Sequence, residues 1–291
     1  MQFQELTYLL SPIILIITAL FVLIIDFFTN RKSVLMIYTL FGIFISALIL
    51  VIQFINFDSN KNIFFDTLVF DKLYIFMALF LIILTFVILL AFYDYIINQI
   101  TFRSEFISLL LLSLVGSLLV IMSIDFITLY LSLELASLPI ISLVAFGRGK
   151  FSLEAAFKYL ILASLSTGIF LMGVAYIYGI TGSIDIVNIN ISYINPALIL
   201  GLVFLFMGIA FKLSIAPWHM WTPDTYQGSP MPIVTYLSTV SKVAGFVLIM
   251  RIFLEIFSVN FDSYNFIIFL SLVAFLSMTI GNFGAIFQKD L

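Results

Sequence analysis

The chain has 291 residues, 64% of them hydrophobic and 9% charged, with a formal net charge of −3 and a mean hydropathy of +1.27. Several apolar runs are long enough to cross a bilayer, so this is an integral membrane protein, and the runs have the length of helices rather than of barrel strands. The absence of cysteine and the single histidine, His219, exclude iron–sulfur clusters, bis-histidine haem, disulfides and a Cys/His zinc framework from this chain. There is no Walker-type glycine-rich loop for ATP hydrolysis, and the thinly spread charge points to no nucleic-acid partner.

The first span is expected near residues 8–28 and is too long for a signal peptide. A polar turn at Asn30, Arg31 and Lys32 leads to a second span near 33–55 and then to a mostly polar loop from Asn56 to Asn62. The third covers roughly 70–98, and the fourth and fifth lie near 106–123 and 126–147, joined at Ser123–Asp125. Gly147-Arg148-Gly149-Lys150 closes the fifth; the sixth, near 153–180, ends in Gly179-Ile180-Thr181-Gly182. A loop with Asp185 and three asparagines precedes a broken seventh span from about Pro196, an eighth near 231–258 and a ninth near 264–288. Short gaps leave no room for a soluble domain. Arg31, Lys32, Arg103, Arg148, Lys150 and Lys289 follow odd-numbered spans, whereas Lys61 and Lys72 flank the loop after span two. Six against two places the odd loops on the cytoplasmic or matrix side and the N-terminus outside.

The stretch Phe211–Arg251 organises the rest. It holds four of the seven prolines (Pro217, Pro223, Pro230 and Pro232) together with Lys212, Asp224, Lys242 and Arg251. An apolar run carrying Lys212 meets Pro217, a polar interval follows, and a second apolar run carries Lys242. Broken helices survive in lipid only where protein or water satisfies the freed backbone, and transporters place such breaks at ion sites near the midplane.

A charge at the centre of a membrane helix costs about 2.5–3.5 kcal/mol, so each needs a reason. Glu134 is too deep in span five to snorkel. Lys158 follows Glu154 by one turn, which makes an i,i+4 pair or snorkelling the bland alternative to a proton site. Lys212 stands just before the break. Lys242 is the sharpest signal: Thr235, Ser238, Thr239 and Lys242 share one helical face, a hydroxyl stripe suited to a water path, though Ser and Thr also glue helices together. Lysine suits proton work because desolvation lets it release and regain a proton near neutrality. His219 is either a relay or a partner for the unwound backbone. Trp218 and Trp221 read as belt or packing residues, Arg251 as a snorkelling residue, and Asp26 and Asp94 as interfacial. Asp125 suits a helix N-terminus. The 34 phenylalanines are lipid-facing bulk.

These residues carry a resemblance. LELASLPIISLVAF around Glu134, SLEAAFKYLILASLSTGIFLMGVAYIYGITG, and FKLSIAPWHMWTPDTYQGSPMPIVTYLSTVSKVAGFVLIMRI resemble subunit 2 (bacterial subunit N) of the proton-pumping NADH:quinone oxidoreductase, complex I. GNFGAIFQKDL is a weaker match, and the whole covers roughly 125–291. The resemblance implies an all-α, polytopic membrane protein of about nine transmembrane helices in an antiporter-like fold with a broken helix seven. It implies that Glu134, Lys158, Lys212 and Lys242 match the family's buried charge series. Function follows by analogy: protons cross the membrane, driven by quinone reduction elsewhere. No cofactor is expected in this chain, while FMN, iron–sulfur clusters and ubiquinone belong to other subunits.

The expected organisation is three N-terminal helices (1–104), a first antiporter-like repeat (105–258), and the first helix of an incomplete second inverted repeat (259–291). Family members continue further, so a split gene is expected, with a separate chain carrying the missing C-terminal helices beside span nine. Other expected partners are complex I membrane subunits, including antiporter-like neighbours, and lipids. The Phe, Ile, Tyr and Asn content suits an AT-rich mitochondrial genome and hence the inner mitochondrial membrane, the bacterial cytoplasmic membrane being the alternative. Two other functions compete: a subunit of a multi-subunit cation/proton antiporter, and a structural membrane subunit that has lost pumping.

Overall fold

A computed structural model describes residues 3–28, 32–147, 149–187, 189, 195–260 and 263–286. Short α1 (Phe3–Tyr8) leads into α2 (Leu10–Phe28), α3 (Lys32–Ile55), α4 (Lys72–Ala91), α5 (Tyr93–Gln99), α6 (Arg103–Met122) and α7 (Phe126–Val144). Then come α8 (Lys150–Thr181), α9 (Pro196–Leu213), α10 (Trp221–Gly228), α11 (Met231–Ser238), α12 (Val240–Asn260) and α13 (Ser263–Ile286). Among the described residues eight helical segments between Leu10 and Ile252 have the length and apolarity to cross a membrane, and α13 adds a further apolar helix. The protein is therefore a multi-pass membrane protein. The ends obey local chemistry. The Asp71 carboxylate accepts from Tyr74 N to start α4, and Asp125 accepts from Ile127 N and Thr128 N to start α7, the role expected of it. Asn195 caps α9, whose first residue is proline, and Gly182 ends α8 at φ 70°.

Helix α6 is the hub: 78% of its membrane window is buried, and it packs against α2, α4, α7 and α12. Lipid tails are as apolar as leucine, so helices associate through close fit and hydrogen bonds rather than hydrophobicity. Gly116 shows the fit, since a Cβ there would stand 2.3 Å from Ala136 N of α7. Serines supply the bonds. Ser11 and Ser46 join α2 to α3 at 2.7 Å, Ser108 donates to the Ala19 carbonyl, Ser113 to Ala136 and Ser166 to Gly208.

Three features depart from the expectation. The third span breaks at Phe92, so α5 is a separate short helix. The loop after span two is a hairpin: β1 (Lys61–Ile63) pairs antiparallel with β2 (Leu68–Phe70) around a left-handed turn at Phe64, Phe65 and Asp66. Three-residue strands are too short to show a period of two, which is why the alternation was invisible. The hairpin is tied to the end of α6 where Leu68 bridges Ser123, and the loop after α8 is tied to the start of α7 where Asp125 bridges Asp185. Third, Arg251 does not snorkel. Its guanidinium, 8% exposed, pairs with the Asp71 carboxylate at 3.0 and 3.1 Å, because α12 delivers it beside the start of α4. Asp26 and Asp94 are exposed, as interfacial residues should be, and Asp26 accepts from Ser104. Lys289 and Asp290, which follow the expected ninth span, lie outside the described residues, as do the polar-turn residues Asn30 and Arg31, and Arg148.

Candidate functional site

Helix α9 ends where Ser214 turns left-handed (φ 57°), with Ile215 N bonding back to the Ala210 carbonyl. A cis Ala216–Pro217 bond follows, then α10, and Pro230 starts α11. The prolines thus open a break of polar backbone inside an apolar bundle, as read from the sequence.

Two lysines meet at that break. The Lys242 ammonium, from the first turn of α12, donates to Ser214 Oγ in a very short contact and to the Lys212 carbonyl at 3.4 Å. It also lies over the Trp221 ring, 5.2 Å from the centroid, an attraction of about 0.5–2 kcal/mol depending on desolvation. Trp221 cannot swing, since its indole N–H donates to the Phe211 carbonyl at 2.9 Å and Tyr159 stacks on it at 4.7 Å. Thr222 Oγ1 donates to Ser214 Oγ at 2.9 Å, so one hydroxyl gathers α9, α10 and α12.

Lys212 Nζ is buried, with no hydrogen-bond partner among the described residues. It borders a cavity of about 30 Å³ lined by Ser117, Ser137, Tyr159 and Ser241 among apolar residues such as Val120, Leu133 and Ile140. One water needs roughly 10–15 Å³ of such space, which the cavity offers beside the Lys212 ammonium. Glu134, half-buried at mid-α7, acts electrostatically on Lys212 and on Tyr159.

The other expected residues lie elsewhere. Lys158 is exposed, bonded at 2.8 Å both to Glu154 and to Asp224 of α10, beside a surface pocket of about 330 Å³. Its neighbour Tyr159 faces the cavity instead. His219 lies between the break and α10; its backbone carbonyl accepts from Thr222 N, while its buried Nδ1 has no partner among the described residues. The stripe of Thr235, Ser238 and Thr239 is interrupted, because α11 ends at Ser238 and α12 restarts at Val240. Those hydroxyls donate to the carbonyls of Met231 and Thr235 in their own helix. Ser241, outside the stripe, is the residue that reaches the cavity.

Sequence reasoning missed Ser214, Thr222, Ser117, Ser137, Tyr159, Ser241 and Asp224 as site residues. A serine before a proline break is the one local signal among them; Ser117 and Ser137 arrive from neighbouring helices that no spacing links.

Residues 123–291 match the family profile described as NADH:quinone oxidoreductase/Mrp antiporter, TM. NADH-quinone oxidoreductase subunit N of Dehalococcoides mccartyi is 35% identical over 97% of the chain. A chain of respiratory complex I from Thermus thermophilus with bound aureothin superposes with a TM-score of 0.78 at 26% identity over 97% of this chain. A chain of the Mrp complex from Dietzia sp. DQ12-45-1b shares the fold, with a TM-score of 0.72 at 20% identity over 89% of this chain and 50% of its own. The chain spans about 60% of the length of the first two.

Proposed function

This chain belongs to the NADH:quinone oxidoreductase/Mrp antiporter membrane family, with the antiporter-like fold and its broken helix, and from that we propose that it is a proton-translocating membrane-arm subunit of an NADH:quinone oxidoreductase. The observation that carries the reading is the contact of Lys242 with Ser214 and the Lys212 carbonyl at the break, where Lys212 itself borders a small cavity with room for water. Lys212 and Lys242 hold the moving proton, Glu134 biases Lys212 through its charge, and Trp221 and Tyr159 exclude lipid from the ammonium. Lys158, tied to Glu154 and Asp224, stands at the surface end of the same system. His219 serves as a relay at the polar side of the break. Thr235, Ser238 and Thr239 support the bend that presents Lys242, their oxygens still free to accept from water.

In this proposal FMN, the iron–sulfur clusters and ubiquinone are carried by other subunits, and the redox step is coupled to this chain at a distance. Its partners are further membrane-arm subunits. The apolar face of α13 that exposes Phe275, Met278 and Phe283 packs against further membrane-arm helices. The three-part division at 104 and 258 belongs to the same proposal. The bacterial relatives support a bacterial cytoplasmic membrane over the mitochondrial inner membrane. The family description also covers Mrp antiporters, which gives a second reading. Reconstituting the native complex in liposomes separates the two. Acidification of the lumen on NADH addition supports the proposal, whereas Na⁺/H⁺ exchange without NADH oxidation supports the antiporter reading and overturns it.

A further inference from the structure

Lys242 must be recharged after it releases a proton, and the geometry points to a specific donor. We propose that the Ser214–Thr222 hydroxyl pair is the relay that returns a proton to Lys242 from the polar side of the helix break; this rests on the transport reading above. Ser214 Oγ accepts from Thr222 and from the Lys242 ammonium, so both its lone pairs are engaged while its own hydrogen is not among the bonds it receives. When Lys242 is a neutral amine, that hydrogen turns to the amine lone pair and the bond from Thr222 stays as it is. The chain then runs Thr222 O–H to Ser214 O, and Ser214 O–H to Lys242 N. In the transfer an N–H bond forms at Lys242 and the Ser214 O–H bond breaks. The hydrogen of Thr222 passes to Ser214, and water at the half-exposed Thr222 restores the threonine. Every proton is accounted for, and the ultimate donor is a hydronium ion of the aqueous phase.

The backbone supplies an independent sign. Ser214 holds φ 57°, a left-handed conformation that is strained for a residue with a side chain and that glycine would adopt freely. A serine in a place suited to glycine is explained by its hydroxyl, which bonds to side chains of both α10 and α12. Thr222 has no helical reason to point inward either: in α10 its hydroxyl bonds Ser214 instead of the backbone of its own helix.

Glycine at 214 keeps the backbone and removes the hydroxyl, and valine at 222 keeps the shape of threonine. In the assembled complex Ser214→Gly and Thr222→Val are each expected to lower proton translocation at least fivefold at unchanged assembly. Thr222→Ser should restore it, and the double variant should be no slower than the slower single, because the two hydroxyls act in series. Wild-type translocation in either single variant, or multiplied losses in the double, overturns the relay. A Lys242→Met variant that pumps normally removes the transport reading instead. The relay is then decided by a density map of the Ser214→Gly complex: loss of the link between Thr222 and Lys242 supports it, and a water bridging them with Lys242 unmoved overturns it.

Discussion

Breaking the Asp71–Arg251 pair should destabilise the protein by several kcal/mol, about 3–5 for the orphaned charge. The Arg251 guanidinium is 8% exposed and the Asp71 side chain 16%, and the two make a bidentate contact at 3.0 and 3.1 Å. The same carboxylate caps α4 through Tyr74 N at 2.7 Å. Asp71→Ala leaves a buried cation without a partner, at about 3–5 kcal/mol, and removes a helix cap, at about 1 kcal/mol. Asp71→Asn retains a capping oxygen and should lose only the first amount. Asp71→Ala combined with Arg251→Met removes both charges and should return to within about 2 kcal/mol of the parent, because the uncompensated charge is gone. The assay is the fraction of protein surviving graded heating in detergent, read by size-exclusion chromatography. Equal losses for the two single variants with no recovery in the double would refute the reasoning, as would an Asp71→Ala that behaves like a surface change.

Further predictions concern packing and charge. Gly116→Val should abolish stable assembly, since even a Cβ would stand 2.3 Å from Ala136 N and overpacking costs about 1–3 kcal/mol or more; expression of the intact complex checks it. Trp221→Leu should cut proton translocation at least tenfold by removing the ring face beneath Lys242 and the stack on Tyr159, while Trp221→Phe should retain a measurable part; liposome acidification distinguishes them. Asp224→Asn should leave thermal stability unchanged at both low and high salt, because its bond to Lys158 is solvent-screened; a salt-dependent loss of stability would show that the pair is structural.

The fold was legible wherever one physical rule dominates. Apolar length marked the spans, and the cluster of prolines around Pro217 marked the break, because proline cannot continue a helix there. The cost of burying charge singled out Lys212 and Lys242, and the structure brings the Lys242 ammonium to Ser214 and to the backbone carbonyl of Lys212 at the break. What was illegible depends on contacts distant in sequence. Asp71 and Arg251 lie 180 positions apart, so Arg251 read alone looked like a residue reaching for water. The stripe of Thr235, Ser238 and Thr239 assumed an unbroken helix, whereas α11 ends at Ser238 and α12 restarts at Val240. Lys158 illustrates a third case. Its pairing with Glu154 was readable as an i,i+4 spacing, but Asp224 comes from beyond the break.

We propose that Lys242, seated on Ser214 and the Lys212 carbonyl, carries protons across the membrane. The decisive experiment replaces Lys242 with methionine in the native complex and records NADH-driven acidification in liposomes alongside NADH oxidation. Acidification should fall at least tenfold at normal assembly. An unchanged parental rate would mean that the protons take another path.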